Sequence, residues 1–195
     1  MEYVAKEQEE FKQVLNNYFP NGQCQNLRIL DICCGIAIEE PLLIQHFGEN
    51  TELLSLDNDK SLEGLLKDLG RKSVIIGDIR ELEKYTKGKF HLIIGRNVPL
   101  NPNHNYEEGK ILDYWPEIFE NLIKFMTNDA TLFLTLVRED EFYRAEEILN
   151  DLGYRIKYRE RNPIVVPSDY VGVRGADTTD HYVVLAQVPI QLRLF

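Results

Sequence analysis

Short apolar runs alternate with longer amphipathic ones along most of this chain. Leu27–Ile32, Leu53–Leu56, Ser73–Ile76, Phe90–Ile94 and Thr131–Val137 are brief and rich in Leu, Ile, Val and Phe. That is the pattern of strands covered on both faces. Between them the apolar residues recur at helical spacing. Glu39–Phe47 carries Leu42, Leu43, Ile44 and Phe47, and Lys60–Leu69 carries Leu62, Leu65, Leu66 and Leu69 before Gly70 stops it. A short helix is predicted near Ile79–Tyr85, and a polar loop runs from Arg96 to about Gly109. Ile111–Met126 is read as a long helix with Leu112, Trp115, Ile118, Phe119, Leu122 and Ile123 inward, and Glu139–Leu152 as another with Phe142, Ala145, Ile148, Leu149 and Leu152 inward. A first helix, Glu2–Phe19, spaces Val4, Phe11, Val14, Leu15 and Tyr18 and ends at Pro20-Asn21-Gly22.

Strand–helix alternation predicts a parallel sheet with helices on both sides. The end of the chain breaks the rule. Gly153–Tyr158 and His181–Val188 are both strand-like with no helical pattern between them, and such neighbours pair antiparallel. The expected fold is therefore α/β, one domain over residues 1–195, with three layers (α/β/α) and a mostly parallel sheet whose last strand is reversed. Helix Glu2–Phe19 has a heavily charged polar face (Lys6, Glu7, Glu9, Glu10) and a modest apolar stripe, so residues 1–20 are expected to act as a lid.

Composition narrows the partners. The 195 residues are 44% hydrophobic, ample for a core. With 32 acidic against 22 basic side chains the net charge is −10, the wrong sign for a duplex-binding surface. A small-molecule or protein substrate is favoured, and nucleic acid is the less favoured partner. No stretch approaches the ~20 apolar residues of a membrane span, and MEYVAKEQEEF lacks a signal-peptide core. Cys24, Cys33 and Cys34 are an odd set without zinc-ligand spacing. No metal site is expected, and a reducing, cytoplasmic location is. Oligomeric state is left open.

The chemistry concentrates where strands end. Asp31, Asp57 and Asp78 close or directly follow the first three strands. In an open α/β sheet, ligands bind at the carboxyl ends of the strands. The first turn reads Asp31-Ile32-Cys33-Cys34-Gly35-Ile36-Ala37. A nicotinamide dinucleotide site would ask for G-x-G-x-x-G here, and this turn holds one glycine.

The three ordered aspartates and the closing antiparallel pair resemble the class I S-adenosylmethionine-dependent methyltransferases, over about Leu27–Val188. The resemblance implies a Rossmann-like fold and S-adenosylmethionine as cofactor. Gly35 keeps the middle glycine of the family's first motif, while Cys33 and Ala37 replace its neighbours with other small residues. By the same resemblance Asp57, next to Asn58, accepts the ribose hydroxyls, and a carboxylate can accept two hydrogen bonds at once. Asp78 takes the adenine amino group, Ile79 lies against the ring, and Arg96 and Asn97 border the cofactor after strand four. The substrate side is expected from the first helix and the segments 97–109 and 162–180. These bring Tyr3, His104, Tyr106 and Tyr170, with His104 and Tyr106 preferred and His181 read as structural. The amino-methylating members that act on nucleic-acid bases carry Asn/Asp-Pro-Pro-aromatic after strand four. Asn97-Val98-Pro99-Leu100 departs from that. No catalytic residue is singled out. Three readings stay open: a methyltransferase on a small molecule or protein side chain, an RNA methyltransferase, and a non-catalytic S-adenosylmethionine-binding domain.

Overall fold

The computed structural model describes residues 2–20, 26–71, 74–100, 106–107, 110–111, 113–161 and 182–188. Among them the sheet strands are β1 (Arg28–Ile32), β2 (Glu52–Asp57), β3 (Val74–Ile76), β4 (Phe90–Gly95), β7 (Met126–Leu136), β8 (Arg155–Arg161) and β9 (Tyr182–Gln187). Two short strands, β5 (Tyr106–Glu107) and β6 (Lys110–Ile111), form a separate antiparallel ribbon. The helices are α1 (Glu2–Tyr18), α2 (Glu40–Phe47), α3 (Glu63–Asp68), α4 (Trp115–Lys124) and α5 (Glu139–Asp151). The seven-stranded order is β3-β2-β1-β4-β7-β9-β8. Pairing is parallel from β3 to β7, and β9 runs antiparallel between β7 and β8. This is the expected mostly parallel sheet with its last strand reversed.

Successive residues of a strand face opposite layers, so each central strand feeds two cores. Ile29, Leu92, Ile94, Phe133, Val183 and Leu185 meet α1 and α2. Leu30, Ile32, Ile93, Leu132, Leu134, Val184 and Ala186 meet α4 and α5. On β8 a bulge at Lys157 shifts the register between Ile156 and Tyr158. The side chains beyond it change face: Arg159 pairs with Glu146 of α5, while Glu160 accepts from Tyr18 of α1.

Three expectations are corrected. The lid reading of the first helix does not hold for its second half. Phe11, Val14 and Leu15 are fully buried, and Tyr18 and Phe19 pack edge-on or tilted against Phe133. Fully burying such a side chain is worth roughly 1.5–3 kcal/mol, so three amount to much of a domain's usual margin of about 5–15 kcal/mol. Deleting Met1–Pro20 should therefore abolish the native circular-dichroism spectrum. A folded truncated chain would restore the lid reading.

The second correction concerns Ile111–Met126. The helix begins only at Trp115, because Pro116 lacks the N–H that an interior position needs and is tolerated in the first turn. Lys110 and Ile111 belong instead to the ribbon. Met126 opens β7 rather than closing the helix. The third correction is Lys60–Leu69, which is a 3-10 turn (Lys60–Leu62) capped by Asp59, followed by the short α3. Only Leu66 of its leucines is buried; Leu65 and Leu69 are exposed. No helix among the described residues is long and apolar enough to cross a membrane.

Candidate active site

The sheet order places β1 beside both β2 and β4. Chain direction across the sheet reverses there, which opens a crevice at the strands' carboxyl ends. The turn leaving β1 is tightly wound. Cys33, Gly35 and Ala37 all have left-handed backbone, with φ of +55°, +53° and +51°. These are the three positions where the family resemblance puts glycine. Two of them here hold residues with a β-carbon, at a cost of roughly 1–2 kcal/mol each. A β-carbon on Gly35 would meet no atom of the described residues within 4 Å, and what they show to constrain Gly35 is its backbone conformation.

The turn is tied to β2. Cys34 N–H donates to the Leu56 carbonyl at 3.3 Å, and Gly35 N–H donates to Asp57 Oδ2 at 2.8 Å. Asp57 Oδ1 accepts from Asp59 N–H at 2.9 Å. Each carboxylate oxygen thus holds one N–H and retains an acceptor position. Asn58 is exposed beside it. Burial first, then Asp57 and Asp31, push the Cys33 thiol up to about 12, and Cys34 is raised by the same causes. Both are free thiols with little thiolate character.

Beneath the turn lies a buried ionic cluster. Asp31 and Glu39 are almost wholly buried, and so is Arg96. Arg96 Nη1 donates to Glu39 Oε1 at 2.6 Å, and its guanidinium lies 5.0 Å from the Phe11 ring centroid. Gln8 Nε2 adds a bond to the Ile38 carbonyl at 3.1 Å, so α1 is fastened to the segment that follows the turn. Arg96, expected to border the cofactor, is therefore held in the junction of α1, α2 and β4. Burial, Glu39 and Asp57 raise the Asp31 carboxyl well above its ordinary range, against Ser55 and Arg96. Sequence patterning did not show the Glu39–Arg96–Phe11 contact, because the three residues lie far apart in the chain.

Asp78 stands two residues beyond β3, after Gly77, whose N–H donates to the Asp57 carbonyl at 2.7 Å and ties the two strand ends together. Ile79 is half-buried against the α4/α5 core. The Arg80 side chain takes Asp78 in a bidentate pair that lowers the carboxyl's pKa. Asn97, after β4, also has a left-handed backbone, with φ +52°. Its N–H donates to Thr135 Oγ1 at 3.1 Å, and its buried Oδ1 has no hydrogen-bond partner among the described residues. Leaving such an atom unmatched is costly.

The loop beyond is pinned at both ends. Trp115 Nε1 donates to the Pro99 carbonyl at 2.9 Å, and Arg144 of α5 pairs with Asp113. Tyr106 pairs with Ile111 in the ribbon. His104, Tyr170 and His181 lie outside the described residues, as does the side chain of Tyr3. Among the described residues no group of three or more His, Cys, Asp and Glu could hold a metal ion.

No family model matches this chain, and no curated protein matches it in sequence. Solved structures do match in fold. The magnesium protoporphyrin IX methyltransferase of Synechocystis, solved with bound S-adenosylmethionine, is 15% identical with a TM-score of 0.61, over 96% of this chain and 84% of that one. The precorrin-6y C5,15-methyltransferase of Geobacter metallireducens is 14% identical with a TM-score of 0.61, over 92% and 88%. The fibrillarin pre-rRNA processing protein of Methanococcus jannaschii is 14% identical with a TM-score of 0.57, over 85% and 67%. The strand order, the reversed β9 and these likenesses together show that the chain has the seven-stranded fold of the class I S-adenosylmethionine-dependent methyltransferases.

Proposed function

We propose that the chain is an S-adenosylmethionine-dependent methyltransferase acting on a small molecule or a protein side chain. The observation that carries this reading is Asp57. Its two oxygens are each oriented by one backbone N–H, and each keeps an acceptor position. That arrangement suits a pair of adjacent hydroxyls such as those of a ribose. The buried acids supply a second support. Glu39 pairs with the Arg96 guanidinium and burial raises the Asp31 pKa, so the buried acids brace the β1 turn as a nearly neutral cluster and leave Asp57 as the carboxylate presented to a ligand. Asp78 with Ile79 is the base side of the same site.

When bound, the cofactor supplies a methyl group already activated on a sulfonium. The protein's task is alignment. Cys33, Gly35 and Ala37 shape the turn, and Asn97 offers Oδ1 as an acceptor for an N–H or O–H at the end of β4. The acceptor substrate enters past the pinned loop that carries His104 and Tyr106, with Tyr170 as a further contact. The neighbours act on a porphyrin or a precorrin, or serve pre-rRNA processing, so the fold does not choose among substrates. The net charge of −10 supports a small molecule or protein side chain over RNA. The free Cys33 and Cys34 thiols support a reducing, cytoplasmic setting.

Isothermal titration with S-adenosylmethionine and S-adenosylhomocysteine tests the reading. Saturable binding of both is expected. A folded protein that binds neither would overturn it.

A further inference from the structure

Both oxygens of Asp78 are occupied by Arg80. Its Oδ1 accepts from Arg80 N–H at 2.9 Å and from Arg80 Nε at 3.0 Å. Its Oδ2 accepts from Nε at 2.9 Å and from Nη2 at 2.5 Å. The Nε contacts share one hydrogen, so a single residue two positions away brings three N–H donors to the about four lone-pair sites of this carboxylate and covers both oxygens. Asp57, one strand over, is engaged once per oxygen. A base amino group approaching Asp78 as a hydrogen-bond donor therefore meets the guanidinium at both oxygens.

The guanidinium has other places to rest. It lies 4.0 Å from the Tyr114 ring centroid, a cation–π contact that does not depend on Asp78. It also borders a groove of about 430 Å³ lined in part by Glu83, Glu117 and Glu120. The Arg80 backbone is separately held, because Asn121 Nδ2 donates to its carbonyl at 3.3 Å. Both side chains are about one-third exposed, so the exchange moves one side chain through solvent-reached space.

We propose that Arg80 competes with the cofactor's base for Asp78: the exocyclic amino group of adenine binds by displacing the guanidinium, which stays on Tyr114. Arg80 thereby sets cofactor affinity and the preference for an amino-bearing base. This rests on the methyltransferase reading above. A partly exposed pair of this kind is weak, so the penalty it places on binding is modest, about two- to fivefold.

The test is titration of the full chain and its Arg80→Ala and Arg80→Lys variants with S-adenosylhomocysteine and with its deaminated analogue S-inosylhomocysteine. Circular dichroism confirms that each variant is folded. Arg80→Ala should bind S-adenosylhomocysteine about two- to fivefold more tightly than the unaltered protein. Its preference over the inosine analogue should widen, because the freed carboxylate accepts from an amino group and repels a carbonyl. Arg80→Lys, which keeps the charge without the planar fork, should fall between. Unchanged or weaker binding by Arg80→Ala, with the base preference unmoved, would overturn the competition and leave the cofactor reading standing. Failure of all three folded proteins to bind either compound would overturn the cofactor reading, and the competition with it.

Discussion

Asp57 and Asp78 occupy matching places at the carboxyl ends of adjacent strands, yet they are prepared for different work. Each accepts the backbone N–H two residues on, Asp59 for one and Arg80 for the other, both at 2.9 Å. The difference is the next partner. Asp57 receives Gly35 N–H from the turn after β1, a fixed donor that orients the carboxylate and leaves room. Asp78 receives the Arg80 side chain, a movable donor that fills it. A backbone partner preorganises an acceptor, whereas a long side chain can occupy it and be exchanged.

The strongest way to break this comparison is to remove the fixed donor's support. Gly35→Val places a β-branched residue at φ +53°, where such residues are outliers. The turn should shift and withdraw its N–H from Asp57. S-adenosylhomocysteine binding should fall below detection while the far-ultraviolet circular dichroism is retained. Normal binding would mean that the cofactor does not depend on this turn.

Truncating the carboxylates compares them directly. Asp57→Ala should weaken S-adenosylhomocysteine by roughly 1.5–3 kcal/mol, the range for bonds to a charged group. Asp78→Ala should cost less, by about the 0.2–1 kcal/mol of the Arg80 pair that no longer has to be broken. Equal losses at the two positions, measured by titration, would contradict the asymmetry.

A third carboxylate sharpens the contrast through pH. Asp31 is buried with Glu39, Asp57, Ser55 and Arg96 as its neighbours, and burial raises its folded pKa well above the ordinary carboxylate range. The folded state then holds a proton that the unfolded state releases. This group's contribution therefore declines as pH rises from about 4. Urea unfolding at pH 5 and pH 8 should show a smaller difference for Asp31→Asn than for the unaltered protein, with the variant the more stable at pH 8. An unchanged difference would show that Asp31 ionises without penalty.

The smallest effect is expected at Ala37. Replacing it with glycine relieves roughly 1–2 kcal/mol of left-handed strain. Glycine's extra unfolded freedom takes back about 0.5–1, and the lost buried methyl about 0.8. Thermal melts should agree within about 1 kcal/mol, with cofactor binding intact. A large loss in either measurement would mean that the Ala37 methyl has a contact role beyond filling the turn.

The alternation of apolar runs sufficed for the layers, the parallel order and the reversed last strand, because hydrophobic periodicity records which faces must be covered. It also marked Asp31, Asp57 and Asp78, since strand ends are legible wherever an apolar run stops. The helical spacing placed the start of α4 at Ile111, whereas Pro116, a first-turn residue, sets it at Trp115. Partnership is a different matter, because it depends on distances in space. That Phe11, Val14 and Leu15 complete a core depends on Phe133 and Leu185 lying beneath them. That Arg96 meets Glu39 depends on β4 lying beside β1. Which acceptor is left open, Asp57 with two N–H donors or Asp78 with four contacts from Arg80, follows from where the β1 turn and one guanidinium come to rest. The pattern of the chain specifies which surfaces are buried; the folded geometry settles which polar atoms are already satisfied and which can still bind.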